Sequence, residues 1–460
     1  EIMSQNIDSS KGIYDARQLG AGRMLILGVQ HMFAMFGATV LVPLLTGLSV
    51  STTLLCAGLG TLLFHFITKG KVPAFLGSSF AFLGGYATIA PMLGEQQNIP
   101  NLEMLPYACF GVACAGLVYV ILAGLFKVFG AKKVMRFFPP IVTGPIIIAI
   151  GLNLSSSAIN NCTGSWWIAI AAILIIVAAN IWGKGMIKII PILLGVIGSY
   201  LLAVIFDADV RANLVSNVSA AKWFALPIKM EQTVFGLFAS GNGDAHKLLT
   251  AVITIVPLSL ATMVEHIGDV SAISSTCNRN YIENPGLHRT LMGDGLATTL
   301  AGLLGGPANT TYGENTGVLA LSKIYDPLVI RIAAVLAIIL SFSPKFEAVI
   351  NTIPTGIIGG ISFVLYGMIS AIGVRNVVEN RVDFTNSRNL IVAAVILVCA
   401  LGFNSVGGVG FTVGSVTINL SGLAVAAIAG ILLNAILPGN DYEFDATAGS
   451  DAATSGNLQV

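Results

Sequence analysis

Charge is what this sequence most conspicuously lacks. Only 10% of its 460 residues are Asp, Glu, Lys or Arg, whereas 55% are apolar; a soluble globular chain carries about 25% charged residues. So few charges cannot make a water-facing surface, which excludes a soluble protein with a single core. The apolar content excludes a disordered chain, and a net charge of +1 excludes a nucleic-acid binder. Cysteine is also sparse: the six residues at 56, 109, 114, 162, 277 and 399 form no CxxC pair, and four of them fall inside apolar runs. They read as small core residues rather than as disulfides or metal ligands. HExxH, GxSxG, a Lys-bearing phosphate loop and Cys/His clusters of metal spacing are all missing, so an enzyme and a metal site are not expected. Residues 1–23 are polar and acid-containing, unlike a cleavable signal peptide, and 439–460 read as an acidic, disordered tail.

What is present is apolar sequence in lengths suited to a bilayer. Runs fall at roughly 24–43, 51–68, 75–92, 104–126, 137–156, 165–182, 186–206, 248–270, 287–305, 313–325, 328–344, 350–372, 389–405 and 415–437. A membrane helix needs about 20 such residues. The runs are continuous rather than alternating, so they predict helices and not barrel strands. Fourteen spans with a cytoplasmic N-terminus (Lys11, Arg17, Arg23) place most basic short loops inside: Lys69 and Lys71, Lys127 to Arg136, Lys184 and Lys188, Arg279 and Arg289, Lys323, and Arg375 to Arg388. Loops 93–103 and 157–164, without Lys or Arg, then fall outside, as do Lys345 and the mixed-charge loop 207–247. Both termini are expected in the cytoplasm.

Fourteen spans divide into two sevens, and an odd number inverts the second half relative to the first. The expected fold class is therefore an all-α polytopic membrane protein of two inverted seven-segment repeats. Corresponding segments support this. The fifth carries Pro139, Pro140, Gly144 and Pro145; the twelfth carries Pro354, Gly356, Gly359 and Gly360. The third (Gly77-Ser78-Ser79-Phe80) and the tenth (Asn309-Thr310-Thr311-Tyr312-Gly313) are both small and polar where a helix should be apolar. Paired interruptions of this kind mark a transport site, because the half-helix after each break presents free N–H groups and a positive dipole end.

Intramembrane charges cost about 2.5–3.5 kcal/mol each on insertion scales and so mark function. Glu265 and Asp269 stand four apart on one helix face, about 6 Å along the axis. Neighbouring carboxylates in a low dielectric do not both ionise readily, which suits the pair to taking up a proton. Glu314 opens the tenth half-helix, where the dipole favours an acid. His31 and Asp294 are further candidates; His31 serves equally well as a hydrogen-bonded core group, and Asp294 could pair across helices. His266 points to another face and is set aside. A channel would show charge rings or a repeated filter, so a carrier is the expected class. Its rivals are an anion carrier of the same architecture and a membrane receptor.

Several blocks resemble one family in order. Gln30-His31-Met32-Phe33-Ala34-Met35-Phe36-Gly37-Ala38-Thr39, Phe75 to Phe82, Glu265-His266-Ile267-Gly268, Asn284 to Arg289 and Asn309 to Asn315, continued by Thr316-Gly317 through Lys323, are similar to the nucleobase–ascorbate transporter family and, within it, to bacterial uracil permeases. The likeness runs from about residue 17 to 437. It implies a cytoplasmic N-terminus (1–23), a core domain (24–126 and 248–344), a gate domain (137–206 and 350–437), an extracytoplasmic loop (207–247) and a cytoplasmic tail (438–460). Short antiparallel strands would precede the third and tenth half-helices.

The resemblance also implies uracil import by proton symport at a bacterial plasma membrane, with no cofactor other than the coupling proton and a possible homodimer through the gate domain. Substrate and membrane lipid are the expected partners. Glu265 and Glu314 would bond the ring, Phe80 and Gly313 would offer backbone N–H groups, and Tyr312 and Tyr366 would pack near the ring or the gate interface, with Ala38 in the binding set. Glu265, Asp269 and His31 form the proton-coupling set. Asp269 departs from the second His found in a uracil member and matches purine-carrying relatives, so xanthine or urate is the alternative cargo.

Overall fold

The computed structural model describes residues 12–94, 98–241 and 243–445; Lys11 and most of the predicted tail lie outside them. The helices that carry the fold are α1 (Ala21–Thr46), α2 (Val50–Ile67), α3 (Leu83–Ile89), α4 (Leu105–Phe129), α5 (Pro140–Cys162), α6 (Trp166–Trp182) and α7 (Pro191–Phe206). They continue as α8 (Ala245–Cys277), α9 (Leu287–Leu304), α10 (Gly313–Ser322), α11 (Pro327–Ser341), α12 (Thr355–Glu379), α13 (Ser387–Ser405) and α14 (Gly422–Ile436). Among the described residues, seven helices are long and apolar enough to cross a bilayer, or nine if two bent pairs each count as one span. The molecule is a mostly helical, multi-pass protein.

Both predicted interruptions are strands followed by short helices. β1 (Leu76–Ser78) precedes α3, and β2 (Asn309–Thr311) precedes α10. They pair antiparallel, Leu76 opposite Thr311 and Ser78 opposite Asn309.

Other segments depart from the sequence reading. The run predicted over 415–437 is not one helix: β3 (Val409–Val413) and β4 (Val416–Leu420) form a hairpin, and α14 begins only at Gly422. Gly414 takes φ 62° at the turn, and the flanking Val and Thr residues favour extended backbone. The hairpin reaches α8, where His246 Nε2 lies 2.7 Å from the Ser415 carbonyl and the Thr254 hydroxyl donates to Asn419 O at 3.1 Å. The loop predicted over 207–247 contains the helix Ala208–Ala220, which folds back at 108° from α7. The Asp207 carboxylate caps it by accepting from Asp209 N at 2.9 Å. The run predicted over 350–372 is split by Pro354, with a separate helix, Pro344–Asn351, before it.

Packing follows the glycines. α4 lies against α9, α9 against α2, and α2 and α1 against α11. Separately, α5 lies against α12 and α13, α6 against α7 and α12, and α13 against α14. The crossings of α4 with α9 and of α5 with α12 are among those close enough to need glycine: a Cβ on Gly302 would stand 2.7 Å from Cys109 O and Ala113 N, and one on Gly373 would stand 2.6 Å from Ile148 N. Small residues let backbones approach where lipid offers no hydrophobic drive to helix pairing.

The two ends of the bundle differ in their chemistry. At one end Lys71 donates to Asn284 at 2.7 Å, Arg289 to Ile67 O at 2.9 Å, and Arg279 lies over Tyr14. At the other end Lys345 donates to Val218 O at 2.7 Å and Glu347 accepts from Ser49 at 2.8 Å. Lys345 and the 207–247 segment, placed on one side by the sequence reading, are thus in contact.

Candidate functional site

Strands inside a helical membrane protein leave backbone groups that water cannot satisfy, so protein must do so. Here the neighbouring helices supply the partners. The Thr61 hydroxyl accepts from Leu76 N at 2.9 Å and lies 3.2 Å from Leu76 O. Thr298 donates to Asn309 O at 3.0 Å, and the Asn309 amide donates to Cys56 O at 3.2 Å. The pairing is extended by Tyr312 N to Phe75 O at 2.9 Å and by Ser79 N to Ala308 O at 2.8 Å. Thr61 of α2, Thr298 of α9 and Asn309 of β2 itself thus satisfy groups that the strands would otherwise leave open.

Tyr312 locks this platform. Its hydroxyl donates to Ser78 O at 2.8 Å and accepts from the Thr39 hydroxyl at 3.3 Å. Gly77 lies under its ring, where a Cβ would collide with the ring carbons and stand 2.7 Å from Thr39 Oγ1. Gly77→Ala is expected to destabilise the protein by about 1–3 kcal/mol, the usual cost of overpacking. A lower melting temperature in detergent checks this, and an unchanged one would show that the ring can move aside.

The two half-helices begin where the platform ends. Phe80 leads into α3 with its carbonyl accepting from Leu83 N at 3.1 Å, and Gly313 opens α10 with Glu314 in its first turn. Amides at such starts have no carbonyl of their own helix to bond. A Cβ added to Gly84 on α3, Gly268 on α8 or Gly313 on α10 would meet nothing within 4 Å. Each of these glycines thus faces open space, Gly84 into a cleft that Gly268 and Gly313 do not line.

The acids of α8 and α10 lie close to one another. Glu265 and Asp269 on α8 and Glu314 on α10 are each half-buried and lie within electrostatic reach of one another, and Asp294 acts on the two α8 acids. Arg375 of α12 acts on Asp269 from the facing helices. Ala38 on α1 and Tyr366 on α12 are buried.

His31 is fully buried and tied to α10: Asn315 Nδ2 donates to His31 O at 2.9 Å and lies 3.2 Å from His31 Nδ1. Asp294 does pair across helices, and its partner is the residue the sequence reading set aside. His266 Nδ1 lies 3.2 Å from Asp294 Oδ2 and 2.9 Å from Thr311 Oγ1, with both ionisable side chains fully buried. His266 therefore joins α8, α9 and β2 directly behind Glu265. Its cost in an apolar span was the available clue. Among the described residues, no three His, Cys, Asp or Glu side chains are placed to hold a metal ion.

A cleft of about 700 Å³ separates α1 and α3 from α5 and α12; Thr46, Tyr86, Asn153, Ser157 and Tyr366 line it, and it extends to Lys229 and Glu347 at one end of the bundle. Glu265 and Glu314 are not part of its lining.

A family model described as "Permease family" matches residues 22–407. The uracil permease of Bacillus caldolyticus is 40% identical over 428 residues, covering 91% of this chain and 93% of that protein. The putative pyrimidine permease RutG of Escherichia coli (strain K12) is 40% identical over 443 residues, covering 95% and 94%. Among solved structures, the transmembrane domain of a cyanobacterium bicarbonate transporter, BicA, matches with a TM-score of 0.58 at 14% identity, covering 91% of this chain and 98% of that one. The murine Slc26a9 anion transporter in its inward-facing state matches with a TM-score of 0.58 at 10% identity, covering 90% and 67%. At these identities the structural likeness concerns the fold alone.

Proposed function

This chain belongs to the nucleobase–ascorbate transporter family of permeases, and from that membership we propose that it carries uracil into a bacterial cell together with protons. It is a permease and not an enzyme. The observation that carries the substrate reading is Glu265 on α8 within electrostatic reach of Glu314 at the start of α10, with open space at Gly268 and Gly313 on the same two helices. Uracil presents two N–H donors and two carbonyl acceptors on a flat ring. Carboxylates suit the donors, and the free amides near Phe80 and Gly313 suit the carbonyls. Tyr312 and Tyr366 serve as aromatic groups near the ring or the gate interface, and Ala38 on α1 belongs to the binding set. Glu265, Asp269 and His31 couple binding to a proton.

We read the architecture as fourteen spans in two inverted repeats, with core spans 1–4 and 8–11 and gate spans 5–7 and 12–14. Packing supports this, because contacts recur when each helix is exchanged for the one seven places on. α4 on α9 becomes α11 on α2, α4 on α8 becomes α11 on α1, and α6 on α12 becomes α13 on α5. Transport then exposes a midplane site to alternate sides by movement of the core against the gate, with both termini in the cytoplasm and the gate available for dimerisation.

Asp269 favours one second reading, a purine cargo. Competition in proteoliposomes separates the two. Unlabelled uracil is expected to displace labelled uracil at concentrations about 100-fold below those of xanthine or urate, since a site built to pair ring donors rejects mismatched rings strongly. Equal competition by xanthine or urate would overturn the uracil assignment.

A further inference from the structure

Between residues 137 and 206 the sequence carries two charges, Lys184 and Lys188, and both fall in the turn joining α6 to α7. Directly beside that turn lies a groove of about 620 Å³ whose walls are Ile175, Ala178, Ala179 and Trp182 of α6 and Leu194, Ile197 and Gly198 of α7, with Gly183 and Ile187 at its mouth. Its rim faces outward from the bundle: Ile181 is 66% exposed, Trp182 74% and Ile197 47%. Both lysines are exposed, and among the described residues neither forms an ion pair. The groove spans Ile175 to Trp182, about 10 Å along the helix, comparable with the roughly 15 Å of hydrocarbon in one leaflet.

We propose that this groove holds one acyl chain of an anionic phospholipid whose headgroup phosphate rests on Lys184 and Lys188. The apolar walls take the chain, and the lysines supply positive charge at the depth where a phosphate lies, with the Trp182 indole beside them at the interface. Charge also argues against a second copy of this chain as the occupant. A two-fold contact on this face would bring four lysines together with no acid in either facing segment. The site does not depend on the substrate reading, only on the chain being embedded in a bilayer. Its lower edge has a route to the transport machinery, since Ile189 in the same turn packs 3.6 Å from the Cβ position of Gly317 on α10.

Trp182 provides the probe. The full-length chain with Trp166→Phe, Trp167→Phe and Trp223→Phe keeps Trp182 as its single tryptophan. In vesicles of phosphatidylcholine, brominated phosphatidylglycerol should reach half-maximal quenching at a mole fraction on the order of ten-fold below brominated phosphatidylcholine, given two lysines near the surface. Lys184→Gln with Lys188→Gln should abolish that preference, and Lys184→Arg with Lys188→Arg should preserve it. Equal quenching by the two lipids in the lysine-bearing protein would overturn the proposal. So would weak quenching by both together with a cross-linked dimer at this face, which would assign the groove to a second copy.

Discussion

Glu265→Gln is expected to abolish uphill uptake of uracil while leaving the fold intact. One proton crossing a 100 mV potential supplies about 2.3 kcal/mol, enough for roughly fifty-fold accumulation. With glutamine the side chain cannot release or take up a proton, so the internal-to-external ratio should fall to unity. Binding should weaken as well. A carboxylate accepts through both oxygens, whereas the amide turns one acceptor into a donor facing the N–H groups of the ring. Glu265 is half-buried on α8 and touches the electrostatic field of Glu314 and Asp294, so its replacement removes charge without leaving a hole. The measurement is accumulation of labelled uracil in proteoliposomes under an imposed potential and proton gradient. Retained accumulation above unity in the variant would remove Glu265 from the coupling mechanism.

The second large effect concerns the buried pair behind that site. His266 and Asp294 lie 3.2 Å apart with neither exposed, and Thr311 of β2 completes the contact at 2.9 Å. Removing one partner of a buried polar pair costs on the order of 1–3 kcal/mol, because the other is left without compensation. Asp294→Leu and His266→Leu should each lower the melting temperature in detergent strongly. The double variant should recover much of that loss, since two apolar side chains in place of a buried pair are often neutral for stability. Uptake should not recover with it: the double variant frees Thr311, and with it the strand that places α10, beside the residue that follows Glu265 on α8. Single variants as stable as the parent would show that the pair contributes nothing to the fold.

These two cases mark what the sequence discloses and what it conceals. The interruptions at Gly77-Ser78 and Asn309-Thr311 were legible because small polar residues stand out in an apolar chain, and the strands occupy those positions. Glu265 and Glu314 were legible because charge in a membrane span is costly. His266 was not, although the helical period correctly placed it off the face of Glu265. The period says which way a side chain points and nothing about what waits there, and Asp294 lies 28 positions further along the chain. The hairpin over 409–420 was hidden because an apolar run fits a buried strand and a helix alike. Its Gly414-Ser415 pair between β-branched residues was the sign to read. In the 207–247 segment the apolar signal is too weak to announce a span, yet Asp207 still specifies the cap of the helix that forms.

At the crossings of α4 with α9 and α5 with α12, Gly302 and Gly373 bring main chain against main chain. A joint made of peptide atoms holds no rotamers in reserve, so it cannot creep by reshuffling side chains as an oily interface does. Such pairs behave as beams. Compliance in the molecule is left to the pieces that connect them, above all the folded-back helix after Phe206 and the short helix ahead of Pro354.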